Sequence, residues 1–263
     1  MSYITDPKGA QFGLFQTDTD PSDFTMVGQR FHTEDGREVV LFQNSSVALV
    51  SGVLTQHSPI VANHQNIAVV TYTAASASTG LPATITATLG ATVANANAYQ
   101  RGFAVVNAGP GIGQTLRITK STATASSGVI TLTLEDAPAV ALTSSSKLCL
   151  IVAPYSGVVI APTTATASEA CVTLYPVAAS VLNTYDGTSG AQTATGTYQY
   201  AFGVVQGITS LLSDATVAGV GLGIMRSTTT AGTLTVATAT GDRIGSAYQT
   251  SVSAEARAVI VNL

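Results

Sequence analysis

Three histidines, His32, His57 and His64, are the side chains here best suited to metal ligation or to proton transfer near neutral pH. His57 and His64 are seven residues apart with Pro59 between them, and no acidic residue stands at ligand spacing. There is no HExxH motif. All three read as surface or loop histidines. The run Gly109-Pro110-Gly111-Ile112-Gly113 is the one candidate for a phosphate cradle. A dinucleotide-binding loop must open a helix, whose N-terminus holds the pyrophosphate. This run leads instead into Gln114–Lys120, which reads as a strand, so it is expected to be a tight turn.

Carboxylates are sparse. Glu34 adjoins Asp35 and Glu135 adjoins Asp136. Glycoside hydrolysis needs two carboxylates facing each other across a sugar. Neighbours on a strand point to opposite faces, so neither pair fits. Asp18, Asp20 and Asp23 are spaced like oxygen ligands, but no EF-hand pattern follows them. Serines are abundant, yet no GxSxG elbow is present. Cys149 and Cys171 lack metal-site spacing and are read as small buried apolar residues rather than a disulfide. No catalytic, cofactor-binding or metal-binding residue is assigned, no cofactor is expected, and the chain is expected not to be an enzyme.

The elements that would carry any site are short strands. Asp35-Gly36 between extended runs is a hairpin signal leading into Glu38–Phe42. Ile67–Thr73, Ala83–Leu89, Phe103–Val106, Leu116–Thr119, Val129–Leu134 and Lys147–Val152 follow, most of them separated by Gly or Pro. Further strands are expected at Val47–Val50, Val158–Ile160, Cys171–Leu174, Tyr198–Val205, Val217–Met225, Thr233–Thr238 and Ala256–Leu263. This rhythm predicts an all-β fold of sandwich-like or barrel-like modules with very little helix. Ala91–Arg101 and Gly207–Asp214 are the only places where a helical turn is entertained. Thr alternates with apolar residues on many strands, as on a half-buried sheet. Tyr185–Thr197, rich in Gly, Ser and Thr, reads as a long exposed loop.

Residues 1–27 differ from the rest. Turn formers such as Asp6-Pro7 and Asp20-Pro21 alternate with Phe12, Phe15 and Phe24, which suggests an extended N-terminal arm whose rings need a surface to bury against. These three phenylalanines are the candidate protein-interface residues. Residues 28–162 are read as a β domain and 163–263 as a second β module. The soft boundary falls in the small, polar stretch 161–170, and one continuous β domain is the alternative.

Only 9 % of the 263 residues are charged, against about 25 % in a typical soluble domain. A surface covered by Thr, Ser, Ala and Gly loses little hydration when a partner docks. The net charge is −4 and the basic residues are scattered, which argues against nucleic acid and against an anionic membrane surface. The N-terminus shows no signal-peptide pattern and no stretch of about 18 apolar residues occurs, so assembly in a cytoplasm is expected.

With these features, the chain from about residue 28 onward resembles the tailed-bacteriophage virion structural proteins of the capsid cement or decoration type. The matching pieces are Gly28-Gln29-Arg30-Phe31 with Glu34–Arg37, Asn44 to Leu54, Asn97–Tyr99 with Gly102, and Gly111–Gly113 before Arg117-Ile118. Leu132–Asp136, Ala153–Tyr155 and Gly245–Tyr248 with the strand ending at Leu263 complete them. The resemblance implies a protein on the outer surface of the virion head, bridging hexamers of the major capsid protein and forming trimers or dimers with copies of itself. It implies neither nucleic acid nor membrane as partner. The alternative is a tail, baseplate or fibre component that recognises the host surface.

Overall fold

The computed structural model describes residues 3–5, 11–13, 17–19, 26–76, 78, 80–185, 192–238 and 242–263. The chain is nearly all β, as its punctuated alternation predicts. In chain order the strands are β1 (Tyr3–Thr5), β2 (Gln11–Gly13), β3 (Arg30–His32), β4 (Glu38–Gln43), β5 (Leu54–Gln56), β6 (Ile67–Thr73) and β7 (Thr84–Thr88). They continue with β8 (Phe103–Ala108), β9 (Thr115–Ser121), β10 (Val129–Leu134), β11 (Lys147–Ile151), β12 (Val159–Ile160), β13 (Glu169–Thr173) and β14 (Thr184–Tyr185). The last are β15 (Gln192–Ala194), β16 (Tyr200–Leu212), β17 (Gly223–Arg226), β18 (Leu234–Val236), β19 (Gly245–Ala247) and β20 (Ala256–Asn262). A 3-10 turn, Ala62–His64, precedes β6.

Two compact units share the chain. The sheet unit comprises Met1–Ser58, Pro154–Leu182 and Thr197–Leu263, and the barrel unit comprises Pro59–Ala153 with Asn183–Gly196. This differs from the expected boundary at 162/163. The small, polar stretch after Ala161 is no linker: it connects β12 to β13, and both of those strands pair with β5.

The barrel closes in the order β10-β7-β6-β11-β8-β9, every pair antiparallel. Three hairpin-linked strands, β8, β9 and β10, are followed by β11, which returns to lie beside β8, a Greek key. Each strand alternates. In β7, Ile85 and Ala87 are fully buried while Thr84, Thr86 and Thr88 point outward. Ile118, Ile130, Leu132, Leu148 and Leu150 fill the same core from the neighbouring strands.

The sheet unit is built differently. Its path runs β12-β5-β13-β16-β20-β19-β17-β18, with β4 also on β16 and β3 on β4. The thirteen-residue β16 pairs with β4 from Tyr200 to Gln206 and with β20 from Gln206 to Leu212. Val39 and Leu41 of β4 enter one core with Phe202 and Val204, while Val40 and Phe42 enter another with Ala201 and Val205. An unbroken apolar run such as Val39–Phe42 is what a strand buried on both faces requires. The sheet also curls. Gly232 N–H donates to Ala161 O at 2.8 Å and Leu54 N–H donates to Gly232 O at 2.8 Å, tying the approach to β18 onto β5. Only glycine suits that position: its φ is +75°, and a Cβ would lie 2.5 Å from Val53 Cγ1.

Several local expectations are corrected. Gly207–Asp214 forms no helical turn; through Leu212 it is the second half of β16, where Ile208 pairs with Ile260. A short apolar run cannot by itself distinguish the two states. Ala91–Arg101 is likewise not helical but a run of bends and turns. Val47–Val50 provides a single bridge, Leu49 to Val177, and Val217–Met225 becomes a strand only from Gly223. Within the supposed loop 185–197, Tyr185 pairs with Gln192 between β14 and β15. At the N-terminus β1 and β2 pair as a hairpin, so that part of the arm doubles back rather than running extended. Val27, at the arm's end, is buried in the core of the sheet unit.

Candidate docking face

The side chains that could have carried chemistry have structural tasks. His64 is buried, which corrects its reading as a surface residue. Its Nε2–H donates to Thr92 O at 2.9 Å and its Nδ1 accepts from the Tyr99 hydroxyl. Burial raises the Tyr99 phenol well above its usual value, so it remains a donor. His57 is half-buried and accepts a hydrogen bond from the Tyr155 N–H, whereas His32 is exposed as expected. Gly109–Gly113 is a turn between β8 and β9, with positive φ at Gly109, Gly111 and Gly113, and opens no helix. Glu135 leaves Asp136 aside and pairs with Arg117 at 3.1 Å on the surface.

Among the described residues no group of three or more His, Cys, Asp or Glu side chains could hold a metal ion. Asp18 exchanges backbone hydrogen bonds with Tyr200, while Asp20 and Asp23 lie outside the described residues. Both cysteines are free. Cys171 is fully buried as expected, and its thiol is pushed up to about 12 by burial, against a hydrogen bond with Thr55. Cys149 is only half-buried, because it occupies an outward position between Leu148 and Leu150 on β11. Of the three candidate interface rings, Phe12 lies in β2 opposite Ile4, and Phe15 and Phe24 lie outside the described residues.

What the fold does assemble is a surface. Strands β6, β7 and β10 are neighbours in the barrel, and their segments IAVVTYT, TITAT and VITLTL contain no charged residue. Cross-strand register aligns the outward threonines in two rows, Thr71–Thr86–Thr131 and Thr73–Thr84–Thr133. Strands lie about 4.8 Å apart and alternate residues about 6.8 Å apart along a strand, so the rows form a regular patch of methyl and hydroxyl groups. Thr86 Oγ1 donates to Thr71 O at 3.5 Å, which commits that hydroxyl to the sheet. Exposed Val70 and Val129 extend the patch. Charge begins on the flanking strands, with Arg117 and Lys120 on β9 and Lys147 on β11.

Strand by strand, the sequence shows only threonine alternation. The patch becomes visible once β7 and β10, separated by two intervening strands in the chain, are known to be neighbours. Comparison with family models, with curated proteins and with solved structures finds no match.

Proposed function

We propose that this chain is a non-enzymatic structural protein of a tailed-bacteriophage virion, a cement or decoration protein on the outside of the head that clamps neighbouring capsomers. Its partners in this reading are the major capsid protein and further copies of itself. The observation that carries the proposal is the charge-free threonine face of β6, β7 and β10. Docking such a face strips water from methyls and hydroxyls rather than from ions, and ionic desolvation is the expensive kind. The N-terminal hairpin adds support. A two-stranded ladder on its own is marginal in water, and among the described residues β1 and β2 pair only with each other. A clamp that binds only the assembled lattice stabilises it by linkage, and several weak contacts per oligomer add avidity.

The test is electron cryo-microscopy of purified virions, with copies of this chain counted and located. Hundreds of copies across capsomer junctions are expected. A small number confined to the tail would overturn the head assignment in favour of a host-recognition component. In parallel, Thr131→Glu places one charge in the middle of the face and is expected to lower co-sedimentation with undecorated heads at least tenfold, about 1.4 kcal/mol of binding. Undiminished co-sedimentation would remove this face from the interface.

A further inference from the structure

His57 and Tyr155 stand at the two points where the sheet unit gives way to the barrel strands and resumes after them, since its segments end at Ser58 and restart at Pro154. The Tyr155 N–H donates to His57 Nδ1 at 3.2 Å, and the two rings meet edge to face with centroids 4.6 Å apart. Because Nδ1 accepts, the proton of the neutral ring resides on Nε2. Both residues are otherwise fastened within the sheet unit. His57 N–H donates to Ser168 O at 3.0 Å, and Gln43 N–H donates to Tyr155 O at 2.9 Å. The Tyr155 hydroxyl accepts from Arg30 Nη2 at 3.4 Å, and Arg30 also pairs with Glu38. Tyr155 has φ +62°, a left-handed conformation that a residue with a Cβ keeps only when its surroundings hold it there.

Glu169 on β13, opposite Gln56 in the ladder with β5 and paired with Arg226 of β17 at 3.0 Å, is the charged group that attracts a protonated His57. Burial disfavours the protonated ring and outweighs the attraction of Glu169, so the His57 pKa lies below its ordinary value. We propose that His57 is a proton-operated clasp within the sheet unit, beside the points where the chain leaves and re-enters it: neutral, it holds the Tyr155 amide; protonated, it releases that amide and turns to Glu169. Protonation from solvent puts a hydrogen on Nδ1, so two N–H donors then oppose each other where one hydrogen bond stood. Glu169 supplies the alternative acceptor, and Tyr155 keeps only the bonds to its carbonyl and hydroxyl. Since folding favours the neutral ring, this contribution to stability is complete above about pH 6.5 and declines as pH falls from there through the lower folded-state value.

The experiment is an NMR titration of the full, isotope-labelled chain from about pH 7.5 to about pH 4.5, spanning the ordinary histidine range. The His57 ring and the Tyr155 amide nitrogen are expected to shift together with a single midpoint. The hydrogen-exchange protection factor of that amide should fall about tenfold or more below the midpoint. In His57→Asn, whose Oδ1 accepts without titrating, the amide should stay protected and its shift flat. A Tyr155 amide that ignores the His57 titration, a ring that stays neutral to the acid end, or an acid shift that persists in His57→Asn would each overturn the clasp. The wild-type titration decides the question even if the variant does not fold.

Discussion

The barrel unit and the sheet unit solve the same problem in opposite ways. In the barrel one sheet closes on itself, and a single apolar core fills the interior. Each strand then needs only one dry face, and the other is free for threonine. In the sheet unit the strands curl around one core while a second core covers the other face of β4 and the first half of β16. There, no outward face exists along β4, and Val39, Val40, Leu41 and Phe42 are all buried. The difference assigns roles by geometry. A closed barrel leaves a whole surface available for contact, whereas a strand sandwiched between two cores is committed to stability.

The comparison is most severely tested at Phe42, which is fully buried in the second core. Phe42→Ala is expected to cost about 3–5 kcal/mol in denaturant unfolding, as for other large core truncations. A loss below about 1 kcal/mol, the level of an ordinary substitution, would mean that the second layer is not a true core. A smaller effect is expected inside the barrel at Tyr99→Phe. Removing the hydroxyl strands the buried Nδ1 of His64, at about 1–2 kcal/mol. Hydrogen exchange of barrel amides, measured against denaturant, would show that loss. The smallest effect belongs to the outward threonine row. Thr86→Val, which keeps the shape and removes a hydroxyl, should change thermal stability by no more than about 0.5 kcal/mol. A larger loss would show that the row is needed for folding and would weaken its availability for docking.

The all-β class, the Asp35-Gly36 hairpin and most barrel strands were legible because period-two alternation and glycine punctuation are local signals. Val129–Leu134 matches its strand residue for residue. Regions that failed share a physical reason. The second half of β16 was ambiguous because Leu211-Leu212 is a short apolar run whose state is set by β20, a distant partner. The division into two units is not legible because the barrel strands lie between β5 and β12 in the chain, although those two strands are themselves paired, and composition does not record such an interruption. The burial of His64 is not legible because its partners, Tyr99 and the Thr92 carbonyl, meet it only through the fold. The threonine face is hidden in the sequence for the same reason, since its rows are formed by register across strands.

Chain order gives the two units different histories during synthesis. All six barrel strands lie in one continuous stretch, Ile67 to Ile151, so they can find their partners as soon as that stretch has emerged. Strand β4 finds one partner early, β3 across the Asp35-Gly36 hairpin, but its other edge has none nearby. Gln43 waits for Tyr200, 157 residues later, before its pairing with β16 can begin. At a translation rate of about 5–20 residues per second, that is roughly 8 to 30 s during which a strand apolar on both faces has only β3 beside it and one open edge. A strand buried on both faces in the finished sheet is therefore a segment of the nascent chain with particular need of a chaperone.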